Sequence, residues 1–191
     1  MADEKTKGNK RFPIFVNDNL FRRLFLPPRR LIKPYVKEGQ TVADLGCGPG
    51  FFTQALADCV GPKGKVYAVD VDARAIRKLE QKTDKRGLRN IEARAVSASD
   101  LSFVADGSVD FILSHGLLCS MAPKERPAAL AEMKRVLNPD GLAFISVATG
   151  PWSYVDRAEW GKILEGFEVR WKKRSSRFFE HRAAVVSLKK R

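Results

Sequence analysis

The sequence predicts an α/β protein built on a doubly wound, mostly parallel sheet of seven strands whose last two form an antiparallel C-terminal hairpin. Three observations predict it. Short apolar runs alternate with helix-period segments between residues 41 and 148. The first run, TVADL (41–45), passes through the turn Gly46-Cys47-Gly48-Pro49-Gly50 into a helix opening at Phe51. The chain then ends on two alternating segments, FEVRWKKR (167–174) and HRAAVVSLKK (181–190), joined by a short linker.

Each element has its own signal. Residues 1–11 are polar and charged without periodicity and read as a disordered basic tail. Residues 12–191 then read as one domain, of which 12–36 is a helical segment rich in Phe and Leu. Pro28 can open the helical run RRLIKPYV, because proline suits the first turn, where its missing N–H costs nothing. KVYAVDV (65–71) is a second strand, and DARAIRKLEQKTDKRG (72–87) a helix capped by Asp72 and closed at Gly87. NIEARAV (90–96) and VDFILS (109–114) are the third and fourth strands, the latter apolar enough to be buried on both faces. APKERPAALAEMKRVL (122–137) is a helix stopped by Asn138-Pro139-Asp140-Gly141, and LAFISVA (142–148) is the fifth strand. A helical piece spans about 153–165.

Composition narrows the class. With 44% hydrophobic and 30% charged residues the chain matches a soluble globular domain. No run reaches the roughly 20 apolar residues of a membrane span. MADEKTKGNKR lacks the apolar core of a secretory signal. Three cysteines without a Cys-x-x-Cys pair support neither a disulfide framework nor a metal site, so the expected setting is a reducing cytoplasm. The net charge of +13 sits at the ends. Residues 1–40 hold ten Lys/Arg against four Asp/Glu, and residues 168–191 nine against two. Such ends are either a solvated surface or a footprint for an anionic partner such as nucleic acid.

The glycine turn carries the chemistry. Glycines reach positive φ without a Cβ clash and let a ligand lie against the backbone. The helix behind them presents unpaired N–H groups and a positive dipole end. A dinucleotide fingerprint wants a further glycine three residues past the second, and position 51 is Phe. The strand also ends in Asp44, which repels a pyrophosphate and suits an ammonium group. The ligand expected is one bearing an amino acid.

VADLGCGPGFFT, VYAVDVD about 20 residues on, and LNPDGLAFISV together resemble the class I S-adenosylmethionine-dependent methyltransferases. Within that superfamily the chain is most similar to the small ubiquinone/menaquinone-biosynthesis branch, over about residues 28–150. The resemblance implies a Rossmann-like fold and a cofactor site. Gly46, Cys47, Gly48 and Gly50 would meet the methionine part, with Asp44 at its ammonium end. Asp70 would accept both ribose hydroxyls and Val71 would lie against adenine. The family's Gly-Asp-Ala after the third strand reads Val96-Ser97-Ala98 here. Ser97 beside Ala98 then gives a weaker neutral contact to the adenine amino group, or Asp100 replaces it.

The run SHGLLCSM (114–121) faces the transferred methyl in that family, with Ser114 on the cofactor side and His115 a candidate general base. His115 has the competing reading of a loop histidine that packs locally. The Asp/Asn-Pro-Pro-Tyr/Phe signature of exocyclic-amine methylation is absent, as are a Pro-Cys nucleophile and the cysteines of an arsenic site. The expected acceptor is a small molecule, covered by residues 12–36, the 115–123 loop and Trp152 or Tyr154. The alternative is RNA or another large anion engaged through the basic ends. A second copy of the chain could complete the pocket.

Overall fold

The computed structural model describes residues 27–149, 153, 155–175 and 180–189. The expected tail at 1–11, the apolar stretch 12–26 and Trp152 and Tyr154 lie outside the described residues. Five parallel strands come first: β1 (Thr41–Leu45), β2 (Lys65–Val69), β3 (Ile91–Arg94), β4 (Val109–His115) and β5 (Leu137–Thr149). The antiparallel pair β6 (Phe167–Ser175) and β7 (Glu180–Leu188) completes one sheet of order β3-β2-β1-β4-β5-β7-β6. The predicted hairpin is therefore present, with β7 inserted beside β5 and β6 left at the edge.

Burial explains the parallel strands. Val42 to Leu45 and Phe111 to Ser114 are buried without alternation, because helices cover both faces. One face carries α1 (Pro28–Ile32), α2 (Thr53–Val60) and α3 (Ala73–Lys85). Ile32, Leu56 and Val60 meet Val42, Val66, Phe111 and Phe144 there, and Ile76 and Leu79 of α3 meet Ala68. The other face carries α4 (Arg126–Val136) and α5 (Arg157–Leu164), whose Ala129, Met133, Trp160 and Ile163 pack on Ile112, Ala143 and Ile145. Ile32 and Val36 thus belong to the core, so the described end of segment 12–36 is a structural layer.

Several elements are shorter than expected, and two of the boundary differences have local reasons. The helix after β1, α2, opens at Thr53 instead of Phe51, with Phe51 and Phe52 still part of the turn that follows Gly50 at φ +85°. The fifth strand begins at Leu137, which pairs with Val109, whereas Leu142 pairs with Phe111. Asn138 to Gly141 are thus an irregular insert in the ladder, held by Asp140 N–H donating to Asn138 Oδ1 at 3.0 Å. The sequence's stop signal does end α4, at Val136.

One buried charge ties the second layer together. Arg126 opens α4 with only 1% of its surface exposed. Its Nε donates to the Leu118 carbonyl at 2.8 Å, its Nη2 to the Met121 carbonyl at 3.4 Å, and its Nη1 to Glu159 of α5 at 2.8 Å. Losing one member of a fully buried pair costs about 3–5 kcal/mol. Glu159 keeps 26% exposure, so water can solvate it if abandoned. Arg126→Ala should therefore lower stability by about 2–3 kcal/mol in urea denaturation, and a loss under about 1 kcal/mol would contradict this clamp.

Candidate active site at the carboxyl ends of the strands

The crevice lies where the strand order reverses, with β2 on one side of β1 and β4 on the other. The glycine turn at the end of β1 is folded back onto β2. Gly46 and Cys47 N–H groups both donate to the Val69 carbonyl, at 2.8 and 3.0 Å. Gly48 N–H donates to Asp70 Oδ2 at 2.8 Å, and Gly50 N–H closes the turn on the Cys47 carbonyl at 3.1 Å. Lys82 of α3 donates to the Pro49 carbonyl at 2.9 Å.

Asp70 is a double anchor. Its second oxygen, Oδ1, accepts the Asp72 N–H at 2.9 Å, while Asp72 itself caps α3 by accepting from Arg74 N–H at 2.9 Å. One carboxylate thereby fixes the glycine turn to the start of α3. Each carboxylate oxygen has two lone pairs, so the site retains acceptor capacity toward ligand hydroxyls.

The three glycines answer to different constraints. Gly46, Gly48 and Gly50 all have positive φ, of 75°, 52° and 85°. A Cβ on Gly50 would lie 2.4 Å from Leu79 Cδ1, and one on Gly46 would lie 3.0 Å from Leu117 Cδ1. A Cβ on Gly48 meets nothing within 4 Å. Gly48 alone borders open space, so it is the place where a ligand can approach the main chain. Next to it Val71 is 49% exposed, an apolar surface at the crevice rim.

Asp44 is buried, and the Thr53 hydroxyl donates to its Oδ2 at 2.6 Å. Thr53 therefore fixes a carboxylate instead of capping its helix. Cys47 is buried, and burial together with the nearby Asp44 and Asp70 charges pushes its thiol well up. It stays neutral and is no nucleophile. Cys119 is raised by burial as well. At the third strand, Ser97 and Ser99 hydroxyls lie 2.7 Å apart, and Ser97 Oγ also accepts the Ser99 N–H at 3.2 Å. Ala98 beside them is buried. Asp100 is exposed and accepts from Ser102 N–H at 3.3 Å.

At the end of β4 the two expected residues part company. Strand alternation sends Ser114 to the α4 face, with Ile112, and His115 to the α2 face. The His115 ring packs on Phe52, centroids 4.9 Å apart at 40°, so the local-packing reading of this histidine has a physical basis. Ser146 of β5 pairs in register with His115 and shares its face. The hydroxyls of Ser114 and Ser146 are both buried without a hydrogen-bond partner among the described residues.

Sequence reading missed Ser146 and Arg126, although each left a signal. Ser146 interrupts an otherwise apolar strand, and Arg126 puts a cation at a helix N-terminus, where the dipole disfavours it. Arg126 holds the 116–122 loop, and that loop seats Leu117 against Gly46. Among the described residues no group of three or more His, Cys, Asp or Glu is placed to hold a metal ion.

The glycine assignments are separable by substitution. Gly50→Ala combines positive-φ strain with a close contact and should cost about 2–4 kcal/mol. Gly48→Ala carries only the strain, about 1–2 kcal/mol. Urea denaturation curves should keep that order, and the reverse order would contradict the packing described for Leu79.

Comparison with known proteins agrees with this geometry. Residues 42–141 match the family described as methyltransferase domain. The chain is 31% identical over 166 residues to a demethylmenaquinone methyltransferase of Geobacillus stearothermophilus, covering 80% of this chain and 70% of that one. It is 32% identical to a ribosomal RNA large subunit methyltransferase E of Myxococcus xanthus, over 85% of this chain and 70% of the other. A crystal structure of an S-adenosylmethionine-dependent methyltransferase from Aquifex aeolicus superposes with TM-score 0.77 at 30% identity, covering 92% of this chain and all of that one. By these matches the chain belongs to the class I S-adenosylmethionine-dependent methyltransferases.

Proposed function

We propose that the acceptor of this methyltransferase is a small, planar, largely apolar molecule carrying a hydroxyl or amine, received at the ends of β4 and β5. The observation that carries the reading is the His115 ring on Phe52, beside the buried and unpartnered hydroxyl of Ser146. An aromatic wall with two polar groups at one end suits a flat molecule with one polar edge.

S-adenosylmethionine supplies a methyl group already activated on a sulfonium. The chain's part is holding, aligning and proton removal. In this reading Asp70 accepts the ribose hydroxyls, exposed Val71 backs the adenine, and Ser97 and Ala98 border its amino edge. Gly48 admits the methionine chain, with Gly46, Cys47 and Gly50 shaping the turn, and Asp44 meets the ammonium end. Ser114 would stand behind the methyl position, and His115 would take the acceptor's O–H or N–H proton. The three free cysteines fit a cytoplasmic setting.

A second reading is supported by the ribosomal RNA methyltransferase relative and by the basic segment after residue 168: RNA as the acceptor itself. Transfer of labelled methyl separates the two. Hydroquinones and phenols should be methylated and bulk ribosomal RNA should not; label in RNA alone would overturn the small-molecule reading.

The base assignment is tested with whichever acceptor turns over. His115→Gln should cut kcat about 10²-fold or more and flatten the acidic limb of the pH–rate profile, since imidazole protonates between about pH 5 and 8. An unchanged profile would remove His115 as base and leave it a packing residue.

A further inference from the structure

A groove of about 390 Å³ lies on the α1 side of the sheet, away from the crevice. Tyr35, Leu142, Val185 and Trp171 line it, with Arg170 and Asp140 at its polar positions. On β5, Leu142 borders this groove while Ser146 faces His115 four residues later. At about 3.3 Å per residue the two sites stand roughly 13 Å apart. The groove belongs to neither the cofactor nor the acceptor position.

Its rim is an unusual edge strand. Val169 to Arg174 of β6 are all exposed, and four of these six residues are cationic: Arg170, Lys172, Lys173 and Arg174. Charged edges are a common guard against strand-to-strand association. That guard does not account for Trp171, which keeps 44% of its surface exposed in the middle of the basic run. A register shift between Val169 and Trp171 seats Trp171 opposite Val185, on the groove side, together with Lys173 opposite Ala183. Arg170 is positioned by Ser187, its Nε donating to the hydroxyl at 3.0 Å, and by Glu168 at 2.9 Å. Lys173 has no carboxylate partner among the described residues, and Lys172, opposite Ala184, points to the other face of the edge strand. Tyr35, stacked on Phe111 with centroids 6.0 Å apart, supplies a second ring fixed by the core.

We propose that this groove binds single-stranded RNA, with a base stacked on Trp171 against the Tyr35 wall and phosphates on Arg170 and Lys173. Aromatic faces interleaved with cations are what an unpaired strand recognises, since every base offers a π-face and every phosphate a charge. Of the acids near the site, Glu168 is already engaged by Arg170. The site stands independently of which acceptor is methylated, because it lies at the far end of the strands from His115.

The test uses the full chain and a fluorescein-labelled 12-nucleotide oligouridine, followed by anisotropy at several salt concentrations. Wild type should bind saturably, with affinity falling steeply as salt rises. Trp171→Ala and the double variant Arg170→Ala/Lys173→Ala should each weaken binding about tenfold or more, whereas Trp171→Phe should stay near wild type because it keeps a stacking face. S-adenosylmethionine affinity should be unchanged in all three, which also reports that they fold. Binding that survives Trp171→Ala, binding lost only when the cations of residues 1–11 are neutralised, equal affinity for duplex RNA, or no saturable binding at low salt would each overturn the proposal.

Discussion

The carboxylate of Asp70 is the point on which the rest of the site depends. It accepts the Gly48 N–H on one side and the Asp72 N–H on the other, joining the turn after β1 to the helix after β2. Charge-assisted bonds to two main-chain donors are stronger than neutral ones, and they fix the backbone on both sides of the carboxylate. The open face of Gly48 and the exposed Val71 then lie on either side of one anchored acid. Preorganisation of this kind removes ordering cost from ligand binding.

A second constraint shapes the loop after β4. Arg126 draws the Leu118 and Met121 carbonyls and Glu159 to one guanidinium, so the loop after β4 is clamped from below. The same loop carries Leu117 onto Gly46. The glycine turn and the loop after β4 are therefore packed against each other, and a change in either is felt by both. Arg135 repeats the device farther along α4. Its guanidinium bonds both oxygens of Glu132 at 2.7 and 2.8 Å and the Leu101 and Val104 carbonyls at 2.8 and 2.9 Å, steadying the stretch that leaves β3. Its carboxylate partners raise its pKa further, so it is charged at every relevant pH.

The fold was legible because its signals are local and periodic. Apolar runs gave the strands, Asp72 and Gly87 bracketed α3, and the Asn138–Gly141 stop ended α4 at Val136. What escaped depends on tertiary contact. Phe51 and Phe52 read as helix, but they belong to the turn that follows Gly50, held at positive φ under Leu79, and the helix opens at Thr53. The three glycines read alike, yet only Gly48 faces open space. Ser97 was recognised as a departure, but its pairing with Ser99 needed the folded turn. Ser114 and His115 are neighbours in sequence and point to opposite faces, and the partner that matters to His115, Ser146, is thirty-one residues away. The basic ends were visible as charge, while the placement of Trp171 beside Tyr35 depends on the bulge in β6.

The most direct measurement is calorimetric titration of S-adenosylmethionine into wild type, Asp70→Ala and Ser97→Ala. If Asp70 both anchors the turn and receives the ribose, its loss should weaken binding a hundredfold or more, since two charge-assisted contacts at about 1.5–3 kcal/mol each are at stake. Ser97→Ala, which removes one neutral hydroxyl already engaged by Ser99, should stay within about tenfold of wild type. Equal affinities for the two variants would contradict the account.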